Sequence, residues 1–573
     1  MTTPGPNATR SFTQRLTKHF GLGGPTEFVA VPSLLAILVA LNILNLLHYR
    51  FDADEPQHLH VIWSWTQGLV QYRDVFDNHM PLFHILLSPI AALIGERANL
   101  LHWMRFVLLP AHFVAAWATY RIGTQLFSRR VGVWSVILAG FFANYHRAAL
   151  EFRPDNLWAP LWLLCLTVLL SENFTTRKAW VGGLLLGLCF GLTMKSTLLL
   201  ISLLVSVAVL LLVARREVTL TTKDLLRRAL VFLAATTIVP LVIVIFFRMQ
   251  GTWNDFFECV FRHQFFGPLF HRNQIVSIVF AFLFLPLIIY GARQVLRAAL
   301  DVQVGLRRAL VLLFVCFYFL ILRSFWPLIA RTDYLPWYPT VFVLLTGSLF
   351  LLKGIGQNII GQRFPLVSFV AVLELAVLCG IQPFWKDDTR GERKMFSDIL
   401  SLTNSDDYVF DCKGETVFRR RCFRPILETI TMKQIRRGLI PNDAPRRCMD
   451  TRTCVVATGM LDRVSPETRE FLDRNYVPVT KDLSVAGIRL QANGGGASQH
   501  VFKVVIPAEY KIVARDKNVS GTVDGAAYQG ARFLDAGPHA FTSDSGGGEL
   551  VLLWARAVDR NFTPFWGGSA PVR

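Results

Sequence analysis

Long apolar blocks separated by short polar connectors fill the first two-thirds of the chain. Blocks near 28–48, 101–126, 130–147, 157–171, 180–194, 196–214, 229–248, 275–292, 308–325, 334–352 and 364–383 read as eleven membrane spans. A further apolar piece, Pro81–Gly95 (PLFHILLSPIAALIG), is shorter. As a helix it would reach only about 22 Å against roughly 30 Å of hydrocarbon. Pro81 suits a helix start and Pro89 weakens its middle, so the segment is read as lying in the interface.

From about 384 the pattern changes. DYVFDCKGETVF and TCVVATGML read as short strands, and SPETREFLDRNY as a helix opened by Ser465. An α/β module to about 490 follows. QANGGGAS at 491–498 has linker composition. Beyond it, alternation in VFKVVIPAEYKIVA and GGELVLLWARAV predicts a small β-sandwich at 491–573, a unit for packing or protein contact. The expected organisation is an N-terminal arm (1–27), a transmembrane domain (28–383) with a first outer loop at 49–100, the α/β module (384–490) and the β-rich unit.

Composition excludes a soluble globular protein: 53% of the 573 residues are hydrophobic and the mean hydropathy is +0.40. The net charge of +19 is concentrated among the apolar blocks, where residues 1–383 hold 31 Lys+Arg against 17 Asp+Glu. That placement is a topology signal, and no nucleic-acid partner is expected. With Pro81–Gly95 kept on one side, alternate connectors collect 19 Lys+Arg and the opposite ones 12. Were the segment to span, the bias would largely invert. The sequence therefore predicts a multi-pass plasma (inner) membrane protein, N-terminus cytoplasmic and C-terminal region periplasmic or extracellular. The first span lacks a small-residue cleavage site, so it is expected to remain uncleaved.

Acids behave oppositely. Eleven fall on the predicted outer side, among them Asp52, Asp54, Glu55, Glu151, Asp155 and Asp333, against five inside. Any one could simply end a span in solvent. As a group, FDADEPQHLH (51–60) with YRDVFDNHMP soon after marks a candidate site at lipid depth. His58 and His60, two apart, share no helix face, and no metal site is assigned.

The stretch DADEPQHLHVIWSWTQGLVQYRDVFDNHMPLFHILLSPI resembles the first outer loop of the GT-C membrane glycosyltransferases, in particular the protein O-mannosyltransferase and aminoarabinose transferase branch (glycosyltransferase family 39 and relatives). The resemblance rests on Asp54-Glu55, Gly68, Tyr72-Arg73-Asp74 and Pro81-Leu82 in that order. It continues through RPDN, where Asp155 opens a span, and returns at ARTDYLPWYP, covering roughly residues 28–350. Where the aminoarabinose branch has a Lys before Pro-Pro-Leu, this chain has His79-Met80-Pro81-Leu82.

The resemblance implies an inverting transferase that moves one sugar from a polyprenyl-phosphate carrier to an acceptor hydroxyl on a glycan, lipid or protein of the cell envelope. Asp54 would be the general base, with Glu55 and Asp155 as further catalytic candidates. A carboxylate half-withdrawn from water yet open to substrate suits that task independently. Cations should face the phosphate of the leaving carrier: Arg73, His79, Lys195, Arg262, Arg272 and Arg331 are on the outer side, and of these Arg73, His79, Arg262 and Arg331, with Tyr334, are taken as the substrate-binding candidates. No cofactor beyond the carrier-linked sugar is implied, and a divalent metal is left open.

The aromatic and basic loop 249–274 suits interfacial anchoring or a grip on the carrier. Cys412, Cys422, Cys448 and Cys454 lie together in the tail, where an oxidising compartment suggests two disulfides, 412–422 and 448–454 being locally favoured of three pairings, with a zinc site the weaker alternative. Two rival readings are a glycolipid transporter or flippase, which would carry its ionisable groups inside spans, and a non-catalytic envelope assembly protein, in which Asp54 would be replaceable.

Overall fold

The computed structural model describes residues 25–217, 221–263, 272–326, 328–356, 366–382, 384–490, 499–515, 518–544 and 549–565. Most of the N-terminal arm, part of the 249–274 loop and the 491–498 linker fall outside these ranges.

Each of the eleven apolar blocks coincides with helix, the 130–147 block being broken at Phe142 into Arg129–Phe141 and Ala143–Ala148. Among the described residues five helices are long and apolar enough to cross a membrane: Glu27–His48, Leu100–Leu126, Ser196–Val213, Thr222–Met249 and Val302–Phe325. Side chains fix several starts: Ser128, Thr175 and Thr221 each accept a hydrogen bond from the amide three residues on. Helices Thr176–Leu192 and Thr222–Met249 approach closely because the first presents glycines. A Cβ at Gly187 would lie 2.8 Å from the Thr236 carbonyl, and one at Gly183 closer still to that of Phe232.

Pro81–Gly95 forms the 13-residue helix Leu82–Ile94, about 20 Å long. It packs beside the helix Asp54–Thr66, and both touch Leu100–Leu126. Phe83 and Leu87 are buried there, sharing one apolar core with Phe51 and Leu59.

The tail corrects the expected division at 491. β1 (Tyr408–Phe410), β2 (Arg420–Arg421) and β3 (Val455–Ala457) are parallel, β5 (Leu483–Leu490) pairs antiparallel with β3, and β4 (Tyr476–Pro478) pairs antiparallel with β5. Past the linker come β6 (Gln499–Val504), β7 (Ala508–Ala514), β8 (Gly521–Val523), β9 (Ala526–Ala527), β10 (Arg532–Leu534), β11 (Gly537–Ser543) and β12 (Leu550–Trp554). The first sheet runs β10-β7-β12-β5-β3-β1-β2, so strands from both sides of the linker share it through the β12–β5 pairing. Only β6, β11, β8 and β9 form a separate sheet. β12 is buried at every position, which suits an interior strand rather than the edge of an independent sandwich.

Helix Pro466–Asn475 is present, with Ser465 Oγ accepting from Thr468 N at 3.2 Å. In DYVFDCKGETVF only Tyr408–Phe410 is strand, and the remainder is a tight loop. The nine cysteines are free, and the sulfurs brought together are Cys422 and Cys448, 3.6 Å apart. Proximity along the chain misled there, because the helix Ala444–Asp450 carries Cys448 back across the sheet edge.

The C-terminal module is docked on the first loop. His60 Nδ1 donates to the Val417 carbonyl at 2.8 Å, Arg419 pairs with Glu96 at 3.0 Å, and Asn78 donates to Glu428 at 2.7 Å.

Candidate active site

Residues 52–55 form a reciprocal helix start. Asp52 Oδ1 accepts from Asp54 N at 3.1 Å, while Glu55 Oε1 accepts from Asp52 N at 2.7 Å. Both Asp54 and Glu55 then sit in the first turn of Asp54–Thr66, where exposed amides favour anions. Adjacent helical residues point about 100° apart, so the two carboxylates part company.

Glu55 turns inward and is fully buried. Its oxygens take Arg105 Nη2 at 2.5 Å, Arg105 Nε at 2.7 Å and the Phe152 amide at 2.7 Å. Arg105 also donates to the carbonyls of Tyr49 and Arg50. Glu55 thus ties three chain segments together and presents no free oxygen.

Asp54 keeps 23% of its side chain exposed. Arg153 Nη2 lies 2.6 Å from its Oδ2, and Lys413 of the C-terminal module reaches its Oδ1. Burial alone would raise its pKa, but Arg153 and Lys413 outweigh that and hold it well below the usual carboxylate range. Arg153 is the hub: its guanidinium also meets Asp52 at 2.9 Å and Asp155 at 3.6 Å.

Asp155 opens helix Asp155–Leu169 and pairs with Lys195 at 2.7 Å. Lys195 pairs in turn with Asp333 at 2.5 Å. Glu151, on the same loop as Arg153, is reached by Arg331 at 3.3 Å, and Arg331 also donates to the Tyr49 hydroxyl at 3.2 Å. Burial pushes Glu151 up to about 8, with Arg153 opposing the shift.

His79 lies nearby. Its ring meets that of His58 edge-on at 4.5 Å, and its Nδ1 is 2.8 Å from Asp77. His58, His84 and Asp77 continue the chain of contacts at 3.1 and 3.4 Å. Burial, then His79 and His84, keep His58 well below the ordinary imidazole value. Among the described residues no group of three or more His, Cys, Asp and Glu could hold a metal ion.

Arg331 also lines a cavity of about 250 Å³ between the ends of Glu27–His48 and Leu366–Ile381, together with His48, Tyr49, Arg50, Arg147 and Lys386. Tyr334, one turn on, belongs to an aromatic group with Trp337 and Tyr338. The structure therefore gathers Asp54, Asp155, His79, Arg331 and Tyr334 in one region. Arg73 and Arg262 lie on the surface, 54% and 60% exposed, paired with Asp74 and Glu258. Sequence reasoning missed Arg105 and Lys413. No local pattern marks either; Lys413 sits 359 positions from Asp54, inside what reads as a strand.

Residues 78–244 match the family model of dolichyl-phosphate-mannose-protein mannosyltransferase. No curated protein sequence matches the chain. Among solved structures, ArnT from Cupriavidus metallidurans bound to undecaprenyl phosphate superposes with a TM-score of 0.52 at 13% identity, over 81% of this chain and 98% of that one. Its apo state gives 0.51 at 12%, over 80% and 97%. The resemblance to the GT-C glycosyltransferases is borne out: the family match lies in the helical region, and the fold is shared over nearly the whole of ArnT.

Proposed function

We propose that the protein is a membrane glycosyltransferase that moves one sugar from a polyprenyl-phosphate carrier to an acceptor hydroxyl on the outer side of the membrane. The observation that carries this is Asp54: a carboxylate kept ionised by Arg153 and Lys413, yet still part-open, while Arg331, which meets Glu151 on the Arg153 loop, lines a basic cavity at the ends of two apolar helices.

In this scheme Asp54 takes the proton of the acceptor hydroxyl as the acceptor oxygen bonds to the anomeric carbon. The bond from that carbon to the phosphate oxygen breaks, its electron pair leaves with the polyprenyl phosphate, and configuration inverts. Arg331 and the cations lining the cavity receive the phosphate. Asp155, held by Arg153 and Lys195, orients Arg153, and Glu55 fixes the helix that presents Asp54. His79 and Tyr334 flank the sugar. Arg73 and Arg262, being surface residues, meet lipid headgroups.

The undecaprenyl phosphate in the ArnT structure and the dolichyl phosphate in the family's description both support a polyprenyl-phosphate donor. The basic connectors support a cytoplasmic N-terminus and an outward site. The experiment is to supply purified protein in nanodiscs with undecaprenyl-phosphate-linked sugars and follow release of undecaprenyl phosphate. Turnover of at least one such donor is expected; movement of an intact donor from one leaflet to the other of a proteoliposome, without release, would instead identify a flippase.

A further inference from the structure

The loop Asp411–Val417 of the C-terminal module is built around the placement of one lysine. Glu415 accepts from the amides of Cys412 at 3.0 Å and Lys413 at 2.6 Å. Asp411 accepts from Gly414 N at 2.9 Å, Thr416 N at 3.1 Å and Thr416 Oγ1 at 2.6 Å, and is itself paired with Arg421 at 2.5 Å. Gly414, at φ +86°, lets the loop lie flat on Asp54–Thr66, for a Cβ there would meet the His60 Cβ at 3.1 Å. Val417, a β-branched residue at φ 64°, gives its carbonyl to His60. Two buried carboxylates and an unfavourable valine conformation thus fix the backbone from which Lys413 projects. Its side chain is 10% exposed and ends on Asp54.

That contact creates a chemical conflict. Asp54 has one oxygen on Arg153 and the other on Lys413, so two cations hold it ionised and weaken it as a base for a hydroxyl proton. Withdrawal of one cation restores its basicity. Arg153 is anchored by Asp52, Asp54 and Asp155, whereas among the described residues Asp54 is the sole ion-pair partner of Lys413. Lys413, a point charge on a flexible stem, is the one that can exchange.

We propose that Lys413 is the exchangeable cation of the active site, holding Asp54 in the resting enzyme and passing to the carrier's phosphate when the carrier binds, which frees a carboxylate oxygen for the acceptor hydroxyl. Lys413 is a positioning residue for the base, and the C-terminal module is thereby part of the catalytic centre. The assignment rests on the transfer chemistry proposed above. The charged and titratable groups facing Asp54 are His58 on its own helix, Asp52 before it, Arg153 from the facing loop, with Asp155 behind it, and Lys413 from the module. Without Lys413, Arg153 is the main group left to oppose burial, and Asp54 takes up its proton at higher pH.

The test uses full-length protein in nanodiscs, with Lys413→Met, Lys413→Gln and the conservative Lys413→Arg. Dicyclohexylcarbodiimide modifies protonated carboxyls, so its adduct on the Asp54 peptide, followed by mass spectrometry across pH 4.5–8, reads the state of Asp54 without any donor. Because the rate of modification follows the protonated fraction, it should rise about 10-fold or more at each pH in this range in Lys413→Met and Lys413→Gln, and stay as in wild type in Lys413→Arg. In parallel, the Kd for undecaprenyl phosphate should weaken about 10-fold in the neutral variants. Unmoved labelling overturns the proposal, as does an unchanged or tighter Kd, which would make Lys413 a strut or a lock. Absence of undecaprenyl phosphate binding by wild type, with the labelling shift intact, would instead remove the carrier chemistry itself and the exchange with it.

Discussion

Arg105 and Glu55 meet fork to fork inside the protein, at 2.5 and 2.7 Å, with 2% and 0% of their side chains exposed. The pair joins the end of the first long helix, the start of Asp54–Thr66 and the Phe152 amide. Removing one partner strands a buried charge, at a cost of about 3–5 kcal/mol. Glu55→Gln and Arg105→Met should therefore each lower the melting temperature in a fixed detergent well below wild type. Reduced turnover with unchanged melting in Glu55→Gln would instead give Glu55 a direct part in the chemistry.

Helix packing at Gly183 makes a second expectation. Because a Cβ there would run into the Phe232 carbonyl, Gly183→Ala must push two helices apart. A loss of about 1–3 kcal/mol is expected from such overpacking. Gly380→Ala, where a Cβ meets nothing within 4 Å, is the control and should melt as wild type does.

Stability should also report on Glu151. Its folded-state pKa lies at about 8, above the ordinary 4.5. The folded protein therefore binds more protons than the unfolded chain between those values, and stability falls as pH rises through that window. Glu151→Gln removes this contribution, so its melting temperature should fall less between pH 5 and 8 than that of wild type. An identical slope in both proteins would contradict the assignment of a neutral Glu151 at the lower end.

Much of this architecture was legible in the sequence because bilayer-scale apolar blocks are a strong signal, and each of them proved to be helical. The site was half legible. Asp54, Asp155 and Arg331 announce themselves as ionisable groups at span ends, where charge without purpose is costly. Glu55 looked equivalent to Asp54 because the two are adjacent, and only the rotation between neighbouring helical residues, together with Arg105 waiting behind, separates them. Lys413 could not be found that way: its meaning depends on the module folding back onto the first loop. The sheet shared across 491–498 escaped for the same reason, since strand pairing between β12 and β5 leaves no mark in local alternation.

Whether the Asp54 carboxylate takes the acceptor's proton is decided by comparing wild type with Asp54→Asn. Single-turnover release of undecaprenyl phosphate from a donor that wild type uses should slow by about 10²–10⁴-fold in Asp54→Asn, with donor affinity retained. Release at the wild-type rate by Asp54→Asn would contradict the account.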